Sequence, residues 1–118
     1  MILVVDDDPV NVEIVKRKLQ DLGYTIITAG DGEAALKILQ MQVPQLIILD
    51  VQMPNMNGHT FILKKTAVVD FVSIPVIMLT ANNDVQPLFK RHGVKAYLTK
   101  PLKLQDLLDT VAKIIGPA

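Results

Sequence analysis

An α/β fold, a five-stranded parallel sheet with helices on both faces, is what this sequence predicts. Three observations carry the expectation. Ile2-Leu3-Val4-Val5, Leu46-Ile47-Ile48-Leu49 and Val76-Ile77-Met78-Leu79 are unbroken apolar runs, the pattern of strands buried on both faces inside a parallel sheet. Between such runs lie stretches whose apolar residues recur three and four apart, the spacing of crossover helices. The first two of these runs also end directly on acid, Asp6-Asp7-Asp8 and Asp50, and open α/β sheets carry their working groups at the carboxyl ends of strands.

The elements follow in order. After the strand Ile2–Val5, Asp8 is placed to cap a helix and Pro9 suits its first position. Val12, Val15, Leu19 and Leu22 keep helical spacing until Gly23 closes the turn. Tyr24 to Ala29 is rich in β-branched residues and reads as a strand. Asp31-Gly32-Glu33 opens a second helix through Ala34, Ala35, Leu36 and Leu39, stopped near Pro44. The strand Leu46–Asp50 is turned by Pro54, Asn55, Asn57 and Gly58, and a less regular helix runs from Gly58 to about Phe71. Ile74 to Leu79 is the fourth strand and delivers Thr80. Pro87 fits only the first turn of the helix that follows, which has room for two or three turns before Gly93. Lys95 to Thr99 is the fifth strand, ending in Lys100-Pro101, and Leu104, Leu107, Leu108, Val111, Ile114 and Ile115 mark the fifth helix before Gly116-Pro117. Right-handed crossovers with one reversal of winding give a doubly wound (βα)5 sheet, for which the order 2-1-3-4-5 is taken by analogy.

Bulk properties narrow the function. At 118 residues, half of them hydrophobic, the chain is expected to form a single domain, 1–118, with its own core. Twelve basic and twelve acidic residues cancel, which argues against direct nucleic-acid binding or an anionic membrane surface as partner. Without cysteine there is no disulfide framework and no thiolate metal site. No apolar run approaches the roughly 18–20 residues of a membrane span, and no leader pattern precedes the first strand; a cytoplasmic location is expected.

In the expected order, strands one, three, four and five are neighbours. Asp6, Asp7, Asp50, Thr80 and Lys100 therefore converge on one edge of the sheet. Taken singly, the acids read as caps and solvated turns, Thr80 as a strand-end hydroxyl and Lys100 as a surface lysine; together they read as a site. Close carboxylates repel, and a divalent cation or a shared proton relieves the cost. Oxygen-only ligands point to a hard ion such as Mg²⁺. A lysine and a hydroxyl beside that ion supply what a phosphoryl group needs, with one carboxylate as nucleophile.

Val4-Val5-Asp6-Asp7-Asp8-Pro9, Leu49-Asp50-Val51-Gln52-Met53-Pro54 with Gly58, Ile77-Met78-Leu79-Thr80-Ala81 and Tyr97-Leu98-Thr99-Lys100-Pro101 are also motifs of one family, in its order. On these the chain resembles a response-regulator receiver domain of two-component signalling over essentially its whole length. The resemblance implies a flavodoxin-like fold and a signalling switch that turns over no separate substrate. It implies that Asp50 is phosphorylated, that Asp7 binds Mg²⁺ directly and Asp6 through water, and that Gln52 offers its backbone carbonyl to the metal. It implies that Thr80 and Lys100 pair with the phosphoryl group, that Tyr97 follows Thr80 inward, and that Lys100-Pro101 is cis. The implied donor is a histidine kinase or histidine phosphotransfer protein docking near the helix that starts at Pro9. The implied output is a downstream protein or effector domain reading the face made by the fourth helix, fifth strand and fifth helix.

Other readings fit less well. A phosphatase of the haloacid-dehalogenase type needs a second acid two residues after its nucleophile, where this chain has Gln52. A flavodoxin-like carrier needs a phosphate-cradling loop after strand one, where this chain has three acids. The remaining alternative is a receiver-like binding module that works without phosphorylation. The stretch from Thr80 to Lys100 is short for the family and holds Pro87, and Gln52 and Asn82 flank the site where polar amides tune phosphoryl loss.

Overall fold

A computed structural model of the chain describes residues 1–51, 58–66, 73–80 and 93–117. Its elements run β1 (Ile2–Val5), α1 (Pro9–Asp21), β2 (Ile26–Ala29), α2 (Gly32–Met41), β3 (Leu46–Asp50), α3 (Gly58–Thr66), β4 (Val76–Thr80), β5 (Val94–Thr99) and α4 (Leu104–Ile115). The strands form one sheet of order β2-β1-β3-β4-β5, and each neighbouring pair is parallel. The expected doubly wound architecture is thus observed. The helix expected between the fourth and fifth strands falls on residues 81–92, outside the described residues, as do Gln52, Asn82 and Pro87.

Alternation along each strand divides the core in two. Leu3, Val5, Ile47, Leu49, Val76 and Met78 pack against Ala35 and Leu39 of α2 and Phe61 and Ile62 of α3. Ile2, Val4, Leu46, Ile48, Ile77 and Leu79 pack on the other face against Val15 and Leu19 of α1 and Leu107 and Val111 of α4. That is why these strands read as unbroken apolar runs: both faces are covered.

β5 starts one residue earlier than expected, at Val94, and two strands start later for local reasons. β2 starts at Ile26, because Gly23 turns at φ 99° and the Tyr24 N–H closes back on the Leu19 carbonyl at 3.1 Å. β4 starts at Val76, because Pro75 has no N–H for the ladder, although its carbonyl accepts from the Ile47 N–H at 3.0 Å. The far end of α4 is tied to the start of β2, where the Tyr24 hydroxyl donates to the Gly116 carbonyl at 2.6 Å.

One buried residue breaks the apolar pattern. Lys65 lies four and three residues beyond Phe61 and Ile62 on the inner face of α3, and it is fully buried. Burial lowers its ammonium from 10.5 to about 8. The unfolded chain keeps this proton up to its ordinary value, so between those two pH values it binds more protons than the fold. Stability therefore rises with pH across that window. Lys65→Met should stabilise the fold by about 2 kcal/mol at neutral pH, an advantage that shrinks towards pH ~10. Urea unfolding of both chains at the two pH values measures it. Equal midpoints at neutral pH would mean that the partners of the ammonium repay its burial in full.

Candidate functional site

Each site residue is placed by a strand end. Asp6 and Asp7 directly follow β1, Asp50 is the last residue of β3, Thr80 the last of β4, and Lys100 directly follows β5. The register aligns Val5 with Leu49, Asp50 with Leu79 and Thr80 with Thr99, so four adjacent strands finish level with one another. The ends are stitched by backbone: Asp6 N–H to the Ala29 carbonyl at 3.1 Å, Val51 N–H to Leu79 at 2.9 Å, and Lys100 N–H to Thr80 at 2.8 Å.

The side chains converge there. One carboxylate oxygen from each of Asp6, Asp7 and Asp50 lies within 4.8 Å of the others, with Asp6 and Asp50 buried and Asp7 exposed. Lys100 Nζ donates to Asp50 Oδ1 at 2.9 Å, where the Asp50 side chain is only 4% exposed and Lys100 30%. This ion pair partly neutralises the buried acid and holds the lysine over it. Thr80 is buried beside them. Tyr97, opposite Met78 in the ladder, packs half-buried against the α2–α3 side of the core. The Lys100-Pro101 bond is cis. Of the expected site residues only Gln52 lies outside the described ones.

Asp6 carries the electrostatic strain of this cluster. Burial, with a further push from Asp50, raises its carboxyl from 3.8 to about 6, against the opposing effects of the Asp8 N–H and the Lys100 charge. The folded chain thus binds more protons than the unfolded chain between those values. The stability contributed is complete below the lower value and is lost as pH rises through the upper one. In metal-free buffer, wild type should lose on the order of 2 kcal/mol relative to Asp6→Asn between pH ~4 and pH ~7. Thermal melts across that range measure the difference; parallel pH curves for the two chains would contradict the assignment to Asp6.

Three oxygen-only acids at this separation can hold a hard divalent cation. Beside them runs a crevice of about 390 Å³, lined by Asn11, Ile14 and Val15 of α1, by Leu79, and by Lys100 to Leu102 and Leu104. Sequence reasoning expected Asp8 as a cap, which it is, but missed that its backbone N–H donates to Asp6 Oδ1 at 2.9 Å. The available signal was an acid two residues after Asp6 and directly before a helix-starting proline.

Comparison with known proteins decides the family. The sequence profile of the response regulator receiver domain matches residues 2–112. The chain belongs to the response-regulator receiver family. As a receiver domain it is a phosphorylation switch of two-component signalling. It is 39% identical over 118 residues to the probable transcriptional regulator ycf27 of Cyanophora paradoxa, covering 97% of this chain and 47% of that protein. It is 35% identical over 109 residues to the probable transcriptional regulatory protein TcrX of Mycobacterium tuberculosis, covering 91% and 46%. The receiver thus spans about half the length of these curated relatives. Among solved structures, the chemotaxis protein CheY4 of Vibrio cholerae superposes with a TM-score of 0.84 at 33% identity over 96% of both chains. The receiver domain of a sensor histidine kinase of Pseudomonas aeruginosa, solved with magnesium in its active-site cleft, superposes at 0.83 with 30% identity over 98% of this chain and 96% of that one. Among the described residues, no helix of this receiver is long and apolar enough to cross a membrane.

Proposed function

We propose that residues 1–118 act as one receiver unit in which Asp50 accepts a phosphoryl group. The observation that carries the reading is the convergence of Asp6, Asp7, Asp50 and Lys100 on one sheet edge. A carboxylate oxygen of Asp50 attacks phosphorus; the new P–O bond forms as the bond to the donor breaks, and its electron pair leaves with the donor's histidine nitrogen. Asp7 and Asp50, with Asp6 through water and the backbone carbonyl of Gln52, would hold Mg²⁺, whose charge would neutralise the phosphoryl oxygens. Lys100, already within hydrogen-bond distance of Asp50, pairs with the phosphoryl oxygens and holds them for transfer. The magnesium in the related kinase receiver's cleft supports the choice of ion.

About two added negative charges draw the Thr80 hydroxyl and Lys100 inwards. Tyr97 follows Thr80, reshaping the face of the fourth expected helix, β5 and α4, and a downstream protein or effector domain that prefers this shape stabilises it. The phosphoryl donor is a histidine kinase or histidine phosphotransfer protein. Ile14, 49% exposed, lines the crevice that opens beside Asp6 and Lys100, and Val10, 64% exposed, lies one turn before it on α1, which supports docking over α1. The switch turns over no separate substrate, contacts no nucleic acid through this neutral chain, and works in the cytoplasm.

Intact-mass spectrometry after incubation with acetyl phosphate, with and without Mg²⁺, tests the reading. One Mg²⁺-dependent phosphoryl gain is expected. No gain, with the chain folded and an established receiver reacting alongside, would replace the switch by a module that binds its partner without phosphorylation.

A further inference from the structure

Asp8 belongs neither to the acid cluster nor to the phosphoryl chemistry, yet four hydrogen bonds meet on it. Its Oδ1 accepts from the Val10 N–H at 3.0 Å and the Asn11 N–H at 3.5 Å. Pro9 has no N–H, so these are the first two free donors of α1, and the Asp8 carboxylate takes both. The Asp8 carbonyl accepts from the Val12 N–H at 3.0 Å, the first intrahelical bond. Its own N–H points the other way and donates to Asp6 Oδ1 at 2.9 Å.

The cap and the Asp6 contact are mechanically one object. Capping holds Asp8 in extended backbone, φ −90° and ψ 106°, and its φ sets the direction of its N–H relative to the helix. A residue that cannot reach back to Val10 and Asn11 loses the restraint on that angle. Asp6 is buried and crowded by Asp50, and the Asp8 N–H is the backbone donor that ties one of its oxygens. With that oxygen tied, the carboxylate cannot rotate freely, and its second oxygen keeps a fixed direction. Groups that orient a ligand in this way change metal affinity although they never touch the metal.

We propose that Asp8 is a positioning residue of the cation site: by capping α1 it holds its own amide against Asp6 and so presents the Asp6 carboxylate to the cation. This rests on the reading of Asp6, Asp7 and Asp50 as that site.

Three variants separate the cap from the charge. Asp8→Ala removes both, Asp8→Asn keeps the capping oxygen without the charge, and Asp8→Glu keeps the charge on a side chain too long for the cap. NMR titration with Mg²⁺ gives each affinity, and amide exchange at residue 8 in metal-free buffer reads the bond to Asp6 directly. Asp8→Ala and Asp8→Glu should bind Mg²⁺ about tenfold more weakly than wild type and lose exchange protection at residue 8, while Asp8→Asn stays close to wild type in both. Asp8→Asn weakened as far as Asp8→Ala would assign the effect to charge and overturn the proposal. So would Asp8→Ala with wild-type affinity and only a lower melting temperature, which is what a plain helix cap predicts. A wild-type chain that does not respond to Mg²⁺ at all would instead remove the cation reading on which the proposal stands.

Discussion

Asp50→Asn will gain no phosphoryl group under conditions that modify the wild-type chain. The substitution is nearly isosteric, so the packing at the end of β3, where Asp50 is buried and Leu49 and Val51 lie in the core, is kept. What changes is chemistry. A carboxamide oxygen is a far weaker nucleophile than a carboxylate, so the phosphoryl group finds no acceptor at residue 50. The same change alters the electrostatics in a way that checks whether the variant is folded. Three acids within 4.8 Å become two, and a coulombic push on Asp6 is removed. Lys100, already 30% exposed, can turn to solvent when its partner is gone. The metal-free variant should therefore unfold at or above the wild-type midpoint, and Mg²⁺ should stabilise it less than it stabilises wild type. Mass spectrometry and thermal melts with and without Mg²⁺ give both readouts. A phosphoryl gain retained by a folded Asp50→Asn would move the acceptor to another residue.

The sequence made the sheet legible because its strands are covered on both faces. Leu46–Leu49 has no polar residue to place towards solvent, and that alone marks it as interior strand. The edges were less legible. Tyr24 and Thr25 have strand propensity, but the positive φ of Gly23 turns the Tyr24 N–H back to the Leu19 carbonyl, and Thr25 lends only its carbonyl, which accepts from the Ile2 N–H at 2.8 Å; a backbone angle, not a side chain, decides. Ile74 was read into the fourth strand, although Pro75 keeps the ladder from starting before Val76. For the site, each acid, hydroxyl and lysine was visible at a strand end, but their convergence depends on strand order, which pattern does not encode and resemblance supplied. The Asp8 contact with Asp6 depends on a peptide orientation, which the acid before Pro9 flags but does not determine. Lys65 was hidden for the opposite reason: position places it on the inner stripe of α3 while residue type suggests solvent, and the fold follows position.

Lys100→Met should slow phosphoryl uptake about a hundredfold at saturating Mg²⁺, the usual cost of removing one preorganised positive group from a developing phosphoryl charge. Its effect on stability has a distinct signature. In the metal-free chain Lys100 Nζ is the cation that Asp50 Oδ1 contacts at 2.9 Å, and its charge also restrains the upward shift of Asp6. Methionine fills similar space but leaves the buried Asp50 facing Asp6 and Asp7 without that neutralisation. Such a broken pair costs about 2–4 kcal/mol when the remaining acid stays ionised. The cluster has one escape, which is to bind a proton more tightly. Removing Lys100 should therefore raise the Asp6 carboxyl further, so the stability deficit is small in mild acid and grows as pH rises through neutrality. A divalent cation supplies the missing positive charge by another route, so Mg²⁺ should restore most of the lost stability and little of the lost rate. Denaturant unfolding with and without Mg²⁺, beside the acetyl phosphate time course, separates the two roles. If Mg²⁺ restores rate and stability together, Lys100 acts only as a counter-charge for the resting acids. If the rate stays depressed in a fully stabilised chain, the lysine acts on the phosphoryl group itself.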